Sequence, residues 1–184
     1  MPLAPTEIWT IGHSTRTADD FISLLNSHDI RLLVDVRRFP GSRRHPQFGQ
    51  HALAESLARA QIEYLHLPEL GGRRPAQPNS PNTAWRNEAF RGYADYMMSE
   101  AFATAVERLL TLAQHQRTGI MCAEALWWQC HRGLIADYLK ARGHRVLHIL
   151  SSAKIQEHPF TAAARLVNGT LSYEARESEP ELSL

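Results

Sequence analysis

The sequence predicts a single α/β domain, a mainly parallel sheet with helices on both faces. With 184 residues, 43% of them hydrophobic, the chain is long enough to bury one full core. Short apolar runs alternate with longer segments of helical spacing, which is typical of βαβ units. The run at residues 32–36 is apolar without alternation, as expected for a strand buried on both faces. We therefore expect one domain over residues 1–176.

The elements follow one another in the order expected of a parallel sheet. Thr17 is a candidate N-cap for the first helix, with Asp20 three residues later, and a right-handed connection through this helix is expected. The predicted strands span residues 7–11, 32–36, 62–67, 119–121 and 146–150. The other predicted helices span residues 52–60, 85–98, 101–114 and 134–142.

Two loops and the C-terminal region complete the predicted fold. Residues 37–49 hold two prolines and two glycines and predict an ordered loop. Residues 71–82, rich in glycine, proline and asparagine, predict a long loop. Residues 153–158 and 170–173 are expected to add a small hairpin at the sheet edge near the C-terminus. The acidic residues 177–184 predict a disordered tail.

Composition argues against several functional classes. The chain has 20 basic and 19 acidic residues, a net charge of +1, so no global field points to nucleic acid or to a membrane. No apolar run approaches the ~20 residues that span a bilayer, and residues 1–5 do not resemble a secretion signal. With two cysteines and no export signal, the sequence predicts a cytoplasmic protein with reduced thiols.

The densest group of reactive side chains follows the predicted strand at 119–121. It contains both cysteines, a carboxylate, a histidine and an arginine. Such a group between a strand and a helix is typical of an α/β active site. The members are Cys122, Glu124, Cys130, His131 and Arg132.

Two other predicted strands also end in polar residues. His13 and Ser14 follow the first strand, and Asp35 and Arg37 lie at the end of the second. Because the C-terminal ends of parallel strands meet along one edge, we expect these side chains to share a crevice with the segment that begins at Cys122. In that crevice, His13 is a candidate for hydrogen bonding to a ligand.

Either cysteine is a candidate nucleophile. A helix N-terminus lowers the pKa of a nearby thiol, and Arg132 or a protonated His131 would lower it further. The alternative is that Cys122 and Cys130 are two small buried thiols, since free cysteine is among the most buried residue types.

Glu124 is a candidate general acid or base. Trp127 and Trp128 could form an apolar wall that raises the pKa of Glu124, or a face on which a base stacks. The alternative is that both tryptophans are core residues and Glu124 caps a helix. Cysteine and histidine are also metal ligands, but the spacing of Cys122 and Cys130 matches no standard zinc pattern. We therefore predict neither a metal nor another cofactor.

Arginines supply the candidates for substrate binding. Arg37 and Arg43 lie in a glycine-bearing loop with Ser42 between them, and guanidinium forks bind phosphate or carboxylate. Arg132 is a third candidate, and the alternative is that these arginines are solvated surface residues. The sequence has neither a P-loop motif nor a dinucleotide-binding glycine motif, which argues against ordinary chemistry of those two classes.

Several short motifs in order resemble the domain of unknown function 488 family. The likeness extends from about residue 8 to residue 173. It implies a prokaryotic-type intracellular protein and supports the crevice residues as a set, but it implies no reaction. The motifs lie at residues 10–14, 33–37, 40–43, 70–72, 121–124, 130–132, 158–159 and 171–173.

A more distant resemblance is to rhodanese-type sulfurtransferases. It rests on the Asp35–Arg37 segment and on the later strand, Cys122, loop, Arg132 and helix. In those proteins a cysteine lies in a tight loop whose backbone amides hold an anion. The loop between Cys122 and Arg132 is longer and has no interior glycine, which argues against the same persulfide chemistry here.

Taken together, the residues favour an enzyme that acts on an anionic substrate, a nucleotide or a nucleic-acid component. Arg37, Arg43 and Arg132 would bind the anion, and Glu124 would act as acid or base. A cysteine would be the nucleophile or a structural thiol, with His13 and His131 orienting the reacting group. The alternatives are rhodanese-like sulfur transfer and a non-catalytic nucleic-acid-binding module.

Overall fold

A six-stranded sheet lies at the centre of the protein. The computed structural model describes residues 4–177. The strands are β1 (Glu7–Gly12), β2 (Leu32–Asp35), β3 (Glu63–His66), β4 (Thr118–Cys122), β5 (Arg145–Ile149) and β6 (Ile155–Glu157). Their order across the sheet is β3-β2-β4-β1-β5-β6, and all neighbours pair in parallel except β6, which is antiparallel to β5. The predicted mainly parallel sheet is confirmed.

All five predicted helices are present, with starts that differ from the predicted ones by up to three residues. They are α1 (Ala18–Ser27), α2 (Gln50–Arg59), α3 (Glu88–Tyr96), α4 (Glu100–Ala113) and α5 (Arg132–Ala141). Thr17 caps α1 by accepting a hydrogen bond from the Asp20 backbone, as predicted. Helix α3 begins three residues later than predicted because the Asn87 side chain accepts hydrogen bonds from the backbone amides of Ala89 and Phe90.

Helices cover both faces of the sheet, which confirms the predicted layers. On one face, Phe21 and Leu25 of α1 pack with Leu53 and Leu57 of α2 in one apolar cluster. A second cluster on the other face holds the buried side chains of the remaining helices: Tyr93 of α3, Phe102 and Leu109 of α4, and Leu134 and Ile135 of α5. Strand β2 lies between the two layers and is buried along its whole length.

The connections diverge at the boundary between β1 and β4. These strands are neighbours, with Gly12 paired to Cys122, yet β1 leads to α1 on one face and β4 leads to α5 on the other. Ligands bind at such switch points in open α/β sheets. Past the strand ends the two chains stay connected, because the backbone amides of His13 and Ser14 donate to the carbonyls of Cys122 and Ala123, both at 2.9 Å.

The edge hairpin differs from its predicted pairing. Residues 153–158 contain β6, which joins the main sheet, whereas residues 170–173 contain β8 (Thr170–Ser172), which pairs with β7 (Arg165–Val167) in a separate two-stranded sheet. The missed signal was Asn168-Gly169, whose φ angles of 51° and 79° form the kind of tight turn that favours a hairpin.

Among residues 4–177, no helix combines the length and the apolar character needed to cross a membrane. Apart from Glu177, the predicted C-terminal tail lies outside the described residues.

Candidate functional site

A cavity of about 970 Å³ opens at the C-terminal edge of the sheet, over the ends of β1, β2 and β4. The three polar strand ends converge there, together with the loop after β2. Nine of the side chains selected from the sequence line this cavity. They are His13, Ser14, Arg37, Ser42, Arg43, Cys122, Glu124, Cys130 and His131.

Three selected residues lie behind the cavity wall. Asp35 is fully buried, Arg132 is 1% exposed and Trp127 is 6% exposed, and none of them lines the cavity. We therefore correct the expectation that these three contact substrate. The contacts of each side chain show what it does in the fold.

The two cysteines form a thiol pair on the floor of the cavity. Their Sγ atoms lie 2.6 Å apart, and both side chains are buried. The side-chain Nε of Arg132 donates to Cys122 Sγ at 2.9 Å, and its backbone amide faces Cys130 Sγ at 3.5 Å. The pair thus lies between a guanidinium and the first turn of α5, both of which stabilise a thiolate.

These surroundings separate the acidities of the two thiols. Burial raises the pKa of Cys122 well above its usual value. Burial also opposes ionisation of Cys130, but the hydrogen bond from Cys122 and the charge of Arg132 outweigh it and lower the pKa of Cys130 to about 7. Cys130 therefore ionises before Cys122, near neutral pH, and the Cys122 thiol can donate its hydrogen to the Cys130 sulfur.

His131 lies where it can take a proton from Cys130. Its Nε2 donates to the Val36 carbonyl at 2.9 Å, so in the neutral ring Nδ1 carries the lone pair and faces Cys130 Sγ at 3.4 Å. Burial lowers the pKa of His131, which keeps the ring neutral at pH 7. The ring of Tyr93 packs edge-on against it, with centroids 5.1 Å apart. His131 is thus an oriented, neutral base beside a thiol.

His13 is a second neutral ring in the cavity. Its Nδ1 donates to the Ser14 carbonyl at 2.9 Å, which leaves Nε2 to accept from Arg37 Nη1 at 3.5 Å. The ring stacks on Phe48 with centroids 4.3 Å apart. Burial lowers the pKa of His13 to about 4, so the ring is uncharged at neutral pH.

Asp35 positions Arg37 instead of contacting a ligand. Its two carboxylate oxygens accept from Arg37 Nε at 2.9 Å and from Nη2 at 2.6 Å, and Tyr64 donates its hydroxyl to Oδ2 at 2.7 Å. This bidentate pair holds the guanidinium flat against the end of β2. Only the Nη1 corner, next to His13, is left for a molecule in the cavity.

Arg132 uses its side-chain donors on the protein itself. Besides Cys122, the guanidinium donates to Thr10 Oγ1 at 3.0 Å and to the Glu124 and Ala125 carbonyls at 2.7 and 3.3 Å. The loop after β4 can come this close because residue 12 is glycine: a Cβ atom on Gly12 would overlap the Glu124 carbonyl. Arg132 therefore fixes the thiols and this loop, and it does not face the cavity.

Four arginines at the mouth of the cavity, three of them exposed and Arg38 partly exposed, form what we call the arginine rim: Arg38, Arg43, Arg44 and Arg73. Two of them flank the ring of Phe39, with guanidinium carbons 5.4 Å (Arg38) and 5.9 Å (Arg73) from its centroid. Phe39 itself is 62% exposed. In the part of the chain that the structure describes, no carboxylate forms an ion pair with a rim arginine, and Glu124 is the one acidic residue that lines the cavity.

The tryptophans do not form the expected wall beside Glu124. Trp127 stacks on the buried ring of His148, 4.6 Å between centroids, and donates its indole N–H to Gln156 at 3.0 Å. Trp128 is 49% exposed but does not line the cavity. Glu124 is exposed and lines the cavity. Trp127 is a core residue, the alternative that the sequence had left open.

A family model described as "Domain of unknown function DUF488" matches residues 17–139. The chain belongs to this family. The matched part of the DUF488 domain contains the thiol pair, His131, Arg132 and the arginine rim. No curated protein and no solved structure matches the chain. Within residues 4–177 of this DUF488 protein, no three histidine, cysteine or acidic side chains are grouped so that they could hold a metal ion.

Sequence reasoning missed a buried chain of polar side chains behind the thiol pair. We call Thr10, His148, His158 and Asp137 the buried chain. Thr10 Oγ1 lies 2.6 Å from His148 Nδ1, His148 Nε2 lies 2.8 Å from His158 Nδ1, and His158 Nε2 lies 2.9 Å from Asp137 Oδ1. Thr10 also accepts from Arg132, so the buried chain is continuous with the groups that hold the thiols.

The direction of every hydrogen bond in the buried chain follows from the acceptor at its end, Asp137. Asp137 can only accept, so His158 donates Nε2–H to it, His148 donates Nε2–H to His158, and Thr10 donates its hydroxyl to His148. Burial lowers the pKa of His148 to about 2, which keeps that ring neutral. Thr161 and the Tyr173 hydroxyl complete the shell around Asp137. The sequence did indicate buried polar contacts, because Thr10 and His148 are polar residues inside mainly apolar strands and buried polar groups need hydrogen-bond partners.

Proposed function

We propose that this DUF488 protein is a thiol enzyme that acts on an anionic substrate, a nucleotide or a nucleic-acid component, in the cavity at the sheet edge. The single observation that carries the proposal is the thiol pair, poised to ionise near neutral pH on the floor of a cavity whose mouth is lined with arginines that form no ion pair with the described residues. A perturbed acidity in a cleft is one mark of a functional site.

The arginine rim supports an anionic substrate. Within residues 4–177 these guanidinium groups have no acidic partner, so they are available to phosphate or carboxylate, which guanidinium groups bind through paired N–H donors. The Nη1 corner of Arg37 adds one donor deeper in the cavity, beside His13. Charge therefore increases the local concentration of an anion directly above the thiols.

Phe39 supports the choice of a nucleotide among anions. The ring lines the cavity, is exposed, and lies close to the guanidinium groups of Arg38 and Arg73. An aromatic face next to arginines is a platform on which a base stacks while its phosphate pairs with the cations. A volume of about 970 Å³ is large enough for a ligand of that size.

The reaction that this arrangement supports is nucleophilic catalysis by Cys130. His131 Nδ1 accepts the Cys130 proton, and the thiolate forms a bond to the electrophilic atom of the substrate while the bond to the leaving group breaks. The leaving group takes up the proton that His131 received from Cys130. Water then attacks the covalent adduct, the Glu124 carboxylate takes up a proton from that water, and the thiolate leaves with both electrons of the broken bond. Loss of this proton from Glu124 and reprotonation of Cys130 restore the starting state.

The test is the pH dependence of cysteine alkylation by iodoacetamide, with and without anions. The thiolate is the reactive form, so alkylation slows as the pH falls through about 7, where Cys130 becomes protonated. Adenosine monophosphate and inorganic phosphate are the probes, and uncharged adenosine is the matched control. We expect the two anions to slow alkylation and adenosine to have a smaller effect.

Two arginine variants locate the anion. Arg43→Ala removes a member of the rim, so protection by adenosine monophosphate should fall several-fold. Arg31→Ala removes another exposed arginine, one that lies outside the cavity beside Asp29, and should leave protection unchanged. An alkylation midpoint at the ordinary cysteine value, together with no protection by either anion, would contradict the proposal.

Sulfur transfer is a second candidate, favoured by the position of Cys130 at the N-terminus of α5. There the Arg132 amide faces the sulfur, as expected for a site that stabilises a persulfide anion. A gain of one sulfur on Cys130 after exposure to thiosulfate, measured by mass spectrometry on Cys122→Ser protein, would support this candidate over the first. The serine is needed because the neighbouring Cys122 thiol would attack a persulfide.

A further inference from the structure

The nucleophilic mechanism requires one thiol, but the cavity floor contains two. Cys122 lies 2.6 Å from Cys130 and is itself in contact with the guanidinium of Arg132. The two sulfurs are held from opposite sides, Cys122 by the end of β4 and Cys130 by the start of α5. Both line the same cavity, so a molecule that reaches one sulfur is next to the other. A second thiol in this position is suited to attack whatever becomes bonded to the first.

We propose that Cys122 and Cys130 form a reversible dithiol–disulfide couple, and that the cavity uses it to reduce small disulfides that carry negative charge. The preference for charge rests on the anion site of the proposed function. The couple itself rests only on the geometry of the two sulfurs and Arg132.

The electrons and protons balance over two exchange steps. Cys130 gives its proton to His131, and the thiolate attacks one sulfur of the substrate disulfide. A mixed disulfide forms, and the first substrate thiolate leaves and takes up the proton from His131. Cys122 then loses its proton and attacks Cys130 Sγ, which releases the second thiolate to receive that proton. Two protein thiols have lost two electrons and two protons, and one substrate disulfide has become two thiols.

Arg132 makes the second step favourable. Its Nε lies 2.9 Å from Cys122 Sγ, so it stabilises the thiolate that must form there once Cys130 is occupied in the mixed disulfide. His131 Nδ1, 3.4 Å from Cys130 Sγ, is the nearby base that can carry protons to the departing thiolates. Each of the two thiols thus has its own activating group, which a pair of merely buried cysteines would not need.

The test uses the full chain, reduced and then freed of reductant, with oxidised glutathione as the anionic disulfide. Samples are quenched with acid and alkylated, and the mass of the protein is measured by mass spectrometry. The amount of reduced glutathione released per chain is measured in the same samples. We expect a protein that has lost two hydrogen atoms and resists alkylation, and two molecules of reduced glutathione per chain. Cys122→Ser should stop at a stable glutathione adduct on Cys130, and Cys130→Ser should react far more slowly.

Three outcomes would overturn the proposal. If the unmodified chain accumulates the glutathione adduct without closing, Cys122 does not resolve it and no couple exists. The second control is bis(2-hydroxyethyl) disulfide, which is uncharged. If it closes the pair as fast as oxidised glutathione does, the preference for charge is wrong, and protection of Cys130 by adenosine monophosphate tests the anion site of the proposed function separately. If neither disulfide closes the pair, the couple fails, while protection of Cys130 by adenosine monophosphate can still hold.

Discussion

The arginine rim and the buried chain are two groups of polar side chains near the thiol pair, and they differ in solvation: the rim is open to water, whereas the chain is enclosed in the core. The rim arginines are at least partly exposed, and the described residues offer them no acidic partner. In the buried chain, every ring nitrogen, hydroxyl and carboxylate oxygen is engaged. The difference separates the part of the site that can bind a ligand from the part that fixes the thiols.

Solvation explains why both arrangements are stable. An exposed guanidinium is hydrated, so leaving it without a protein partner costs little, and a ligand can replace the water. A buried polar group has no such water and must be paired within the protein. Removing one member should therefore have very unequal effects in the two groups.

The largest effect is expected for Asp137→Ala. The substitution leaves His158, Thr161 and Tyr173 without their common acceptor inside the core, and breaking a buried pair of this kind costs about 3–5 kcal/mol of unfolding free energy. Urea denaturation followed by tryptophan fluorescence measures the loss.

The matched control for Asp137→Ala is Glu107→Ala. It removes a carboxylate from an exposed ion pair with Arg142 and should cost no more than about 1 kcal/mol. Equal losses in the two variants would show that the buried chain stabilises the fold no more than a surface ion pair does.

An intermediate effect is expected for Thr10→Val, which keeps the shape of the side chain and removes the hydroxyl between Arg132 and His148. The unpaired groups should cost about 1–3 kcal/mol. Because Arg132 loses a partner and is held less firmly against Cys122, the pH midpoint of alkylation should also move upward, so that less thiolate is present at neutral pH.

The predicted rise of the alkylation midpoint is tested by measuring alkylation of the folded Thr10→Val protein as a function of pH. Thr111→Val, at an exposed position of α4, is the control. An unchanged midpoint would mean that the buried chain supports the fold without acting on the thiols.

The smallest effect on stability is expected at the rim. The double substitution Arg43→Ala, Arg44→Ala removes two exposed side chains and should change the unfolding free energy by no more than about 0.5 kcal/mol per residue. The same protein should lose most of the protection by adenosine monophosphate. A large loss of stability would instead show that these arginines have a structural role. The rim and the buried chain would then not differ in their contribution to stability.

The sequence predicted those parts of the site that follow from local pattern. Apolar runs identified β1, β2 and β4, and the rule that parallel strands end along one edge brought His13, Arg37 and Cys122 together. The pairing of Asp35 with Arg37 could also have been anticipated, because the two residues follow each other around one strand end.

Contacts between distant segments could not be predicted in this way. Thr10 meets His148 across 138 positions, and Trp127 stacks on the same histidine from the far side. Which buried polar residues meet depends on the order of β1 and β5 in the sheet, and a single sequence does not state that order. Trp127 was assigned to the cavity for the same reason: Leu126 and Gln129, which lie near it in sequence, line the cavity, but His148, on which it stacks, does not.

Gly12 and Arg132 hold the loop after β4 in a way that allows the side chains at positions 124 and 125 to change during evolution. Gly12 admits the loop and Arg132 binds it, but both contacts involve main-chain carbonyls, which every residue type provides. The side chains of Glu124 and Ala125 are exposed and carry no part of this support. New residues can therefore appear at these two positions, and alter what the cavity accepts, without disturbing the two sulfurs beneath them.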